Sequence, residues 1–235
     1  ESGEGALLVF NTADSDRHAI PVFGHTFNED AWAGRARQFY FTVGTTKYLM
    51  SQEWLSNFII HDDNVGDNLC VAPEFLDRAK VDWVAAILPE GVKYDGVLAQ
   101  MFAGDMLASL CSKMAKELEI HGKFFGPRSF WWEELMVACH DDIGEVVLRP
   151  VPVTQGEYVE HLKRMCDWGE EEENSEVIDI LQQDLDFPSS LWMVEFSLPE
   201  VFATNKAKLG EILLDATVED ADTPDDVFVL ARLPN

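Results

Sequence analysis

Two apolar stretches carry side chains whose types and spacing could do chemistry: His18-Ala19-Ile20-Pro21-Val22-Phe23-Gly24-His25 and Phe58-Ile59-Ile60-His61-Asp62-Asp63-Asn64. Imidazole exchanges a proton near neutral pH, and a carboxylate that accepts from one ring nitrogen fixes the tautomer and leaves the other nitrogen as a base. If the two stretches pair as strands, His18 and a carboxylate at the end of the second, Asp62 or Asp63, form the base-and-orienter half of a nucleophilic triad. Asp63 follows Asp62 directly, so on a strand it is expected to face the opposite side; it and Asn64 are fallback orienters.

The third member of such a triad is a nucleophile, and none stands out. Cys70, Cys111, Cys139 and Cys166 all follow His18. A reactive thiol needs a helix N-terminus or a cationic neighbour. Cys111 lies on an apolar helical stripe and Cys70 in a loop after the second strand. Cys139 has His140 beside it, but sequence neighbours on a helix or strand face apart. All four read as packing residues. A competing pattern is the echo of His61-Asp62-Asp63 in His140-Asp141-Asp142, since His and Asp together ligate divalent metals. The first copy ends a strand rather than lying on a helix, so the reading is no metal and no cofactor.

Several elements must position these groups. Ala6 to Phe10 reads as a strand and Asn11 to Arg17 as a polar turn; the His18 strand and a helix over Asn28 to Phe39 follow. Ser51 caps a turn before the Asp62 strand. Val81 to Leu88, almost wholly apolar and stopped by Pro89-Glu90-Gly91, reads as a buried strand. Gly96 to Glu119 has the helical spacing of a core helix, with Val97, Met101, Phe102, Leu107 and Cys111 on its stripe. Gly122 to Trp132 reads as a connection and Glu145 to Val153 as a strand. Thr154-Gln155-Gly156-Glu157 matches a capping box opening a helix to Cys166. Glu170 to Glu173 is an acidic loop, Ser175 to Leu185 a helix, and Leu191 to Leu198, Glu211 to Ala216 and Val227 to Leu233 are strands. The domain division expected is 1–121 and 122–235, the second region extending or decorating the first.

Composition removes whole classes of function. The chain has 235 residues, 47% hydrophobic, with 43 Asp and Glu against 17 Lys and Arg and a formal net charge of −26. Nucleic-acid binding rests on clustered Lys and Arg, so the charge argues against nucleic acid and an anionic membrane as partners and leaves a basic protein partner or plain solubility. No phosphate loop and no Gly-x-Ser-x-Gly elbow is present. The scattered cysteines suggest neither disulfides nor a zinc knuckle, and Glu1-Ser2-Gly3-Glu4-Gly5 lacks the basic region of a signal peptide. The cysteine usage leads to the expectation of a reducing, cytoplasmic setting, and no run is long and apolar enough to span a bilayer.

His18 to His25 resembles the histidine strand of papain-like cysteine peptidases, where His-Ala-Val leads through an apolar run to Gly-Tyr. His61-Asp62-Asp63-Asn64-Val65-Gly66 resembles the Asp-bearing strand of the bacterial C39-like branch, and the order, His then Asp about forty residues on, is the family's. Ala85 to Leu88 with Pro89, Trp192 to Glu195, and Gly210 to Thr217 look like pieces of uncharacterised bacterial proteins on that fold. The resemblance implies an α+β protein with a papain-like (C39-peptidase-like) half and an additional mixed α+β region. It implies a hydrolase of peptide or amide bonds, or an inactive relative, with His18 as base, Asp62 as orienter and a peptide or protein substrate. The family's nucleophilic Cys lies upstream of the His, and residues 1–17 contain none, so the thiol is expected from sequence before Glu1. His25 stands where the family has Tyr, and Pro21 should force an edge strand or a bulge. The alternative reading is a non-enzymatic acidic interaction protein that mimics nucleic-acid charge toward a basic partner.

Overall fold

The computed structural model describes residues 5–11, 17–37, 39–79, 81–86, 88–121, 129–140, 144–166 and 187–232. Helices and strands are both extensive, and the class is α+β. The expected acidic loop at 170–173 and helix at 175–185 lie outside the described residues. The chain forms two compact units, residues 1–88, 137–149 and 197–208 in the first and 89–136, 150–196 and 209–235 in the second. Where the sequence suggests a cut near residue 121, the contacts interleave three stretches with three.

The first unit is built on a five-stranded sheet of order β6-β5-β2-β1-β7, formed by β1 (Ala6–Asn11), β2 (Arg17–Phe27), β5 (Leu55–Asp62), β6 (Gly66–Val71) and β7 (Val81–Ala86). All of its pairings are antiparallel. In register, Leu8 faces Ile20 and Val22 faces Ile60, so period-two alternation puts Leu8, Ile20 and Ile60 on one buried face. Pro21 sits in the central strand, not at an edge. The registered pairing of β2 with β5 begins one residue later, at Val22, with a shift between Val22 and Gly24. The missing N–H of Pro21 therefore removes nothing from that ladder.

The run Val81 to Ala86 is not the buried strand its composition suggests. β7 lies at one edge of the sheet and, among the described residues, has β1 as its only strand neighbour, leaving Trp83 and Val84 exposed on its two faces. A continuous apolar run predicts burial on both faces only if something covers both, and sheet position decides that.

The same unit holds β3 (Tyr40–Val43) and β4 (Thr46–Met50), antiparallel, with β4 parallel to the first half of β8 (Glu145–Thr154). Beside them lie α1 (Ala33–Arg37), a 3-10 turn (Ser51–Trp54), α2 (Glu74–Ala79), the end of α4 (Ser129–His140) and α6 (Pro199–Asn205). The helix expected over Asn28 to Phe39 shrinks to α1. Helix α4 begins inside the stretch read as a connection, because Phe130 to Leu135 carries no Gly or Pro to stop it. Trp54, Leu49, Val147 and Phe202 centre this core.

The second unit contains α3 (Gly96–His121), the latter half of β8, α5 (Gln155–Cys166), β9 (Ser190–Ser197), β10 (Gly210–Asp215), α7 (Pro224–Val227) and β11 (Phe228–Arg232), with strand order β11-β10-β9-β8. Helix α5 covers one face through Tyr158, Val159 and Leu162 against Leu191, Met193 and Leu213. On the other face α3 buries Ala99, Phe102, Ala103, Leu107 and Cys111, while Val97 and Met101 of the expected stripe turn to solvent. The capping box forms as read: the Thr154 N–H donates to Glu157 Oε2 at 2.7 Å, and the Glu157 N–H returns to the Thr154 hydroxyl at 3.2 Å. Such a cap contributes about 1 kcal/mol. A second one, Thr223 with Asp226, opens α7, so the strand expected from Val227 starts at Phe228.

Candidate functional site

His18 is the second residue of β2 and Asp62 the last of β5, so in an antiparallel pair they stand at the same end. His18 shares a face with Ile20 two residues on, and Asp62 with Ile60 two residues back. Past the last registered pair, Val22 with Ile60, their side chains meet: His18 Nε2 lies 3.3 Å from Asp62 Oδ1. The pair is largely enclosed, with side-chain exposures of 20% and 14%. Phe10, registered opposite His18, meets the imidazole edge-on at 5.5 Å between centroids, and Phe75 of α2 meets Phe10 in turn at 6.4 Å. One side of the ring is thus apolar and the other faces carboxylate.

The turn after β5 fixes the carboxylate. The Asn64 amide donates to Asp62 Oδ1 at 2.8 Å and the Val65 amide to the Asp62 carbonyl at 3.1 Å, and Gly66 closes the hairpin at φ 139°, where a Cβ would be strained. The Asn64 amide holds the Asp62 carboxyl below the ordinary aspartate range; burial opposes it, and the hydrogen bond and charge of the His18 ring add lesser lowering effects. A depressed carboxyl contributes stability that is present above its unfolded pKa and lost as pH falls through its folded one. In Asp62→Asn the urea midpoint should therefore fall less steeply than in wild type below about pH 4, the ordinary aspartate value. Parallel acid limbs for the two proteins would show that Asp62 is not held this way.

One expectation is corrected. Asp63 does not face away: its Oδ1 lies 3.7 Å from the same His18 Nε2. Asp62 is the last residue of the strand and Asp63 the first of the turn, so strand alternation ends between them. His61 does turn to the other side, where its Nδ1 pairs with Asp67 Oδ1 at the surface. The His61-Asp62-Asp63 triplet is thus divided, and its two carboxylates belong with His18. The side chain of His140 and residues 141–143, the other triplet, lie outside the described residues.

The chain matches no family model, no curated protein and no solved structure.

The thiols lie on other elements. Cys70 is on β6 rather than in a loop, registered opposite Ile59 and so on the sheet face away from Ile60 and Asp62. Cys139 is on α4, where its carbonyl accepts from the Thr46 hydroxyl at 2.9 Å, and Cys111 is buried in α3 of the second unit. The Cys166 side chain is outside the described residues. His25 stacks edge-on against Phe27 at 4.7 Å, and burial lowers its pKa. Among the described residues no helix is long and apolar enough to cross a membrane.

The second unit holds a polar group that the sequence reading passed over. Glu211, 1% exposed, accepts from the Tyr158 hydroxyl at 2.8 Å and from Arg232 Nη1 at 3.4 Å, with His161 Nε2 3.6 Å from its other oxygen. The available signal was a Glu inside the otherwise apolar Gly210–Leu214.

Proposed function

We propose that His18 and Asp62 are the base and orienter of a cysteine-peptidase-like hydrolytic site for peptide or amide bonds, on a papain-like half-fold. The observation that carries this is the 3.3 Å approach of Asp62 Oδ1 to His18 Nε2. A proton on Nε2 donated to Asp62 leaves the Nδ1 lone pair to deprotonate a thiol, which attacks the carbonyl; the ring then returns the proton to the leaving amine. Where no thiol meets Nδ1, the same surface is an inert relative that binds a peptide without cutting it.

The test is hydrolysis of a fluorogenic peptide library by the longest natural form of the protein. His18→Ala should lower turnover by about 10²–10⁴, the usual worth of a general base, with little change in Tm. Asp62→Asn should lower it through the wrong tautomer, and iodoacetamide should abolish it. Unchanged turnover in His18→Ala removes the assignment, and a large loss of Tm makes His18 structural. The net charge of −26 supports a second reading, an acidic interaction protein. Its mark is affinity for a basic protein that falls steeply with salt and survives His18→Ala.

A further inference from the structure

The end of β5 delivers two adjacent carboxylates to one ring nitrogen. His18 Nε2 is 3.3 Å from Asp62 Oδ1 and 3.7 Å from Asp63 Oδ1, and the three side chains can bring one donor atom each within 4.8 Å of one another. A neutral imidazole offers at most one proton at Nε2, which serves one carboxylate well and not both. A cation at the point all three share would satisfy them together.

We propose that His18, Asp62 and Asp63 bind a single divalent first-row transition-metal ion through Nε2 and one oxygen of each carboxylate. Metal–ligand bonds of about 2.0–2.2 Å place neighbouring donors about 3–3.5 Å apart in tetrahedral or octahedral geometry, so the 3.3 and 3.7 Å separations from Nε2 are already near that spacing, and the two carboxylate oxygens, within 4.8 Å of each other, have only to draw together. One imidazole with two carboxylates is a mixed nitrogen and oxygen set. It suits Zn²⁺ or Mn²⁺ rather than Ca²⁺ or Mg²⁺, which take oxygen alone. The imidazole separates this group from the acidic neighbours that abound in a chain with 43 Asp and Glu. So does enclosure: His18 and Asp62 are mostly covered, while Asp63, 76% exposed, leaves one side open for the ion and its waters.

The proposal stands on the donor atoms and not on the hydrolase reading, though the two meet at Nε2. An ion there moves the ring's proton to Nδ1, the nitrogen a base would use, so the loaded site is closed to base catalysis.

The experiment is isothermal titration of the full chain with Zn²⁺ alone at about 0.2 M NaCl, where diffuse attraction to surface charge is screened. One tight equivalent is expected above any weak background. His18→Ala should weaken it by about 100-fold and Asp63→Asn by about tenfold, with His61→Ala unchanged. Loss of the tight equivalent in wild type, or its survival in His18→Ala, overturns the proposal and leaves adventitious surface binding. Should His18→Ala fail to fold, the ring ¹⁵N resonances of wild type decide. Added Zn²⁺ must shift Nε2 of His18 and leave those of His61 in place, and the reverse pattern overturns the site. Because binding is read directly, a protein that cuts nothing yet holds one Zn²⁺ at His18 keeps this inference and loses the previous one. Turnover with no tight equivalent does the opposite.

Discussion

Replacing Trp54 by alanine is expected to cost about 3–5 kcal/mol, the range for removing a large aromatic from a packed core. The side chain is fully buried, edge-on to Phe202 at 5.3 Å, with Ala33, Leu49, Val147 and Ala203 around it. Its indole N–H donates to the Asp30 carbonyl at 3.1 Å, so the substitution removes a donor as well as opening a cavity. Gly34 reports on the same contact. A Cβ there would lie 2.2 Å from Trp54 Cη2 and 2.5 Å from Cζ3, closer than atoms approach, so Gly34→Ala should cost about 1–3 kcal/mol by overpacking. In the Trp54→Ala background the added methyl has space, and Gly34→Ala should cost almost nothing. A double-mutant cycle by urea denaturation measures the coupling. Strict additivity would mean that the indole does not exclude a side chain at position 34.

Arg232→Met should lose about 3 kcal/mol in the second unit. That is the low end for removing one partner of a buried pair, because the guanidinium is still 19% exposed. The register of β10 with β11 sets Glu211 opposite Arg232, and Tyr158 donates its hydroxyl to the oxygen that Arg232 reaches. Burial first, and then the Glu211 charge, pushes the Tyr158 hydroxyl far above its ordinary range, so it remains a donor throughout accessible pH. Without Arg232 that carboxylate keeps a neutral donor and loses its nearest guanidinium. Adding Glu211→Gln should recover most of the loss, since the amide oxygen still accepts from the Tyr158 hydroxyl and no buried charge is left unpaired. If the double variant is no more stable than Arg232→Met, the carboxylate was not the source of the cost.

The sequence by itself determined what short-range physics determines. The capping box at Thr154, the helix through Leu107 and Cys111, the strands around His18 and Asp62, and an Asx-type turn at Asp62-Asp63-Asn64 all depend on residues within one or two turns of each other. Strand ends also brought His18 together with the Asp62-Asp63 carboxylates, because an imidazole near the start of one strand and a carboxylate ending another need only antiparallel neighbours to meet; the choice of Asp62 between the two rested on the family resemblance. Tertiary structure decided which atoms share a partner. Asp63 joins the site because β5 ends at Asp62, a boundary set by where β6 folds back. Asp82 to Ala86 are exposed because, among the described residues, β1 is the only strand beside β7. Glu211 is buried because Arg232, Tyr158 and His161 converge on it from β11 and α5, 21 to 53 residues away in sequence. Periodicity records which face a residue prefers, whereas register and sheet order decide what lies on that face.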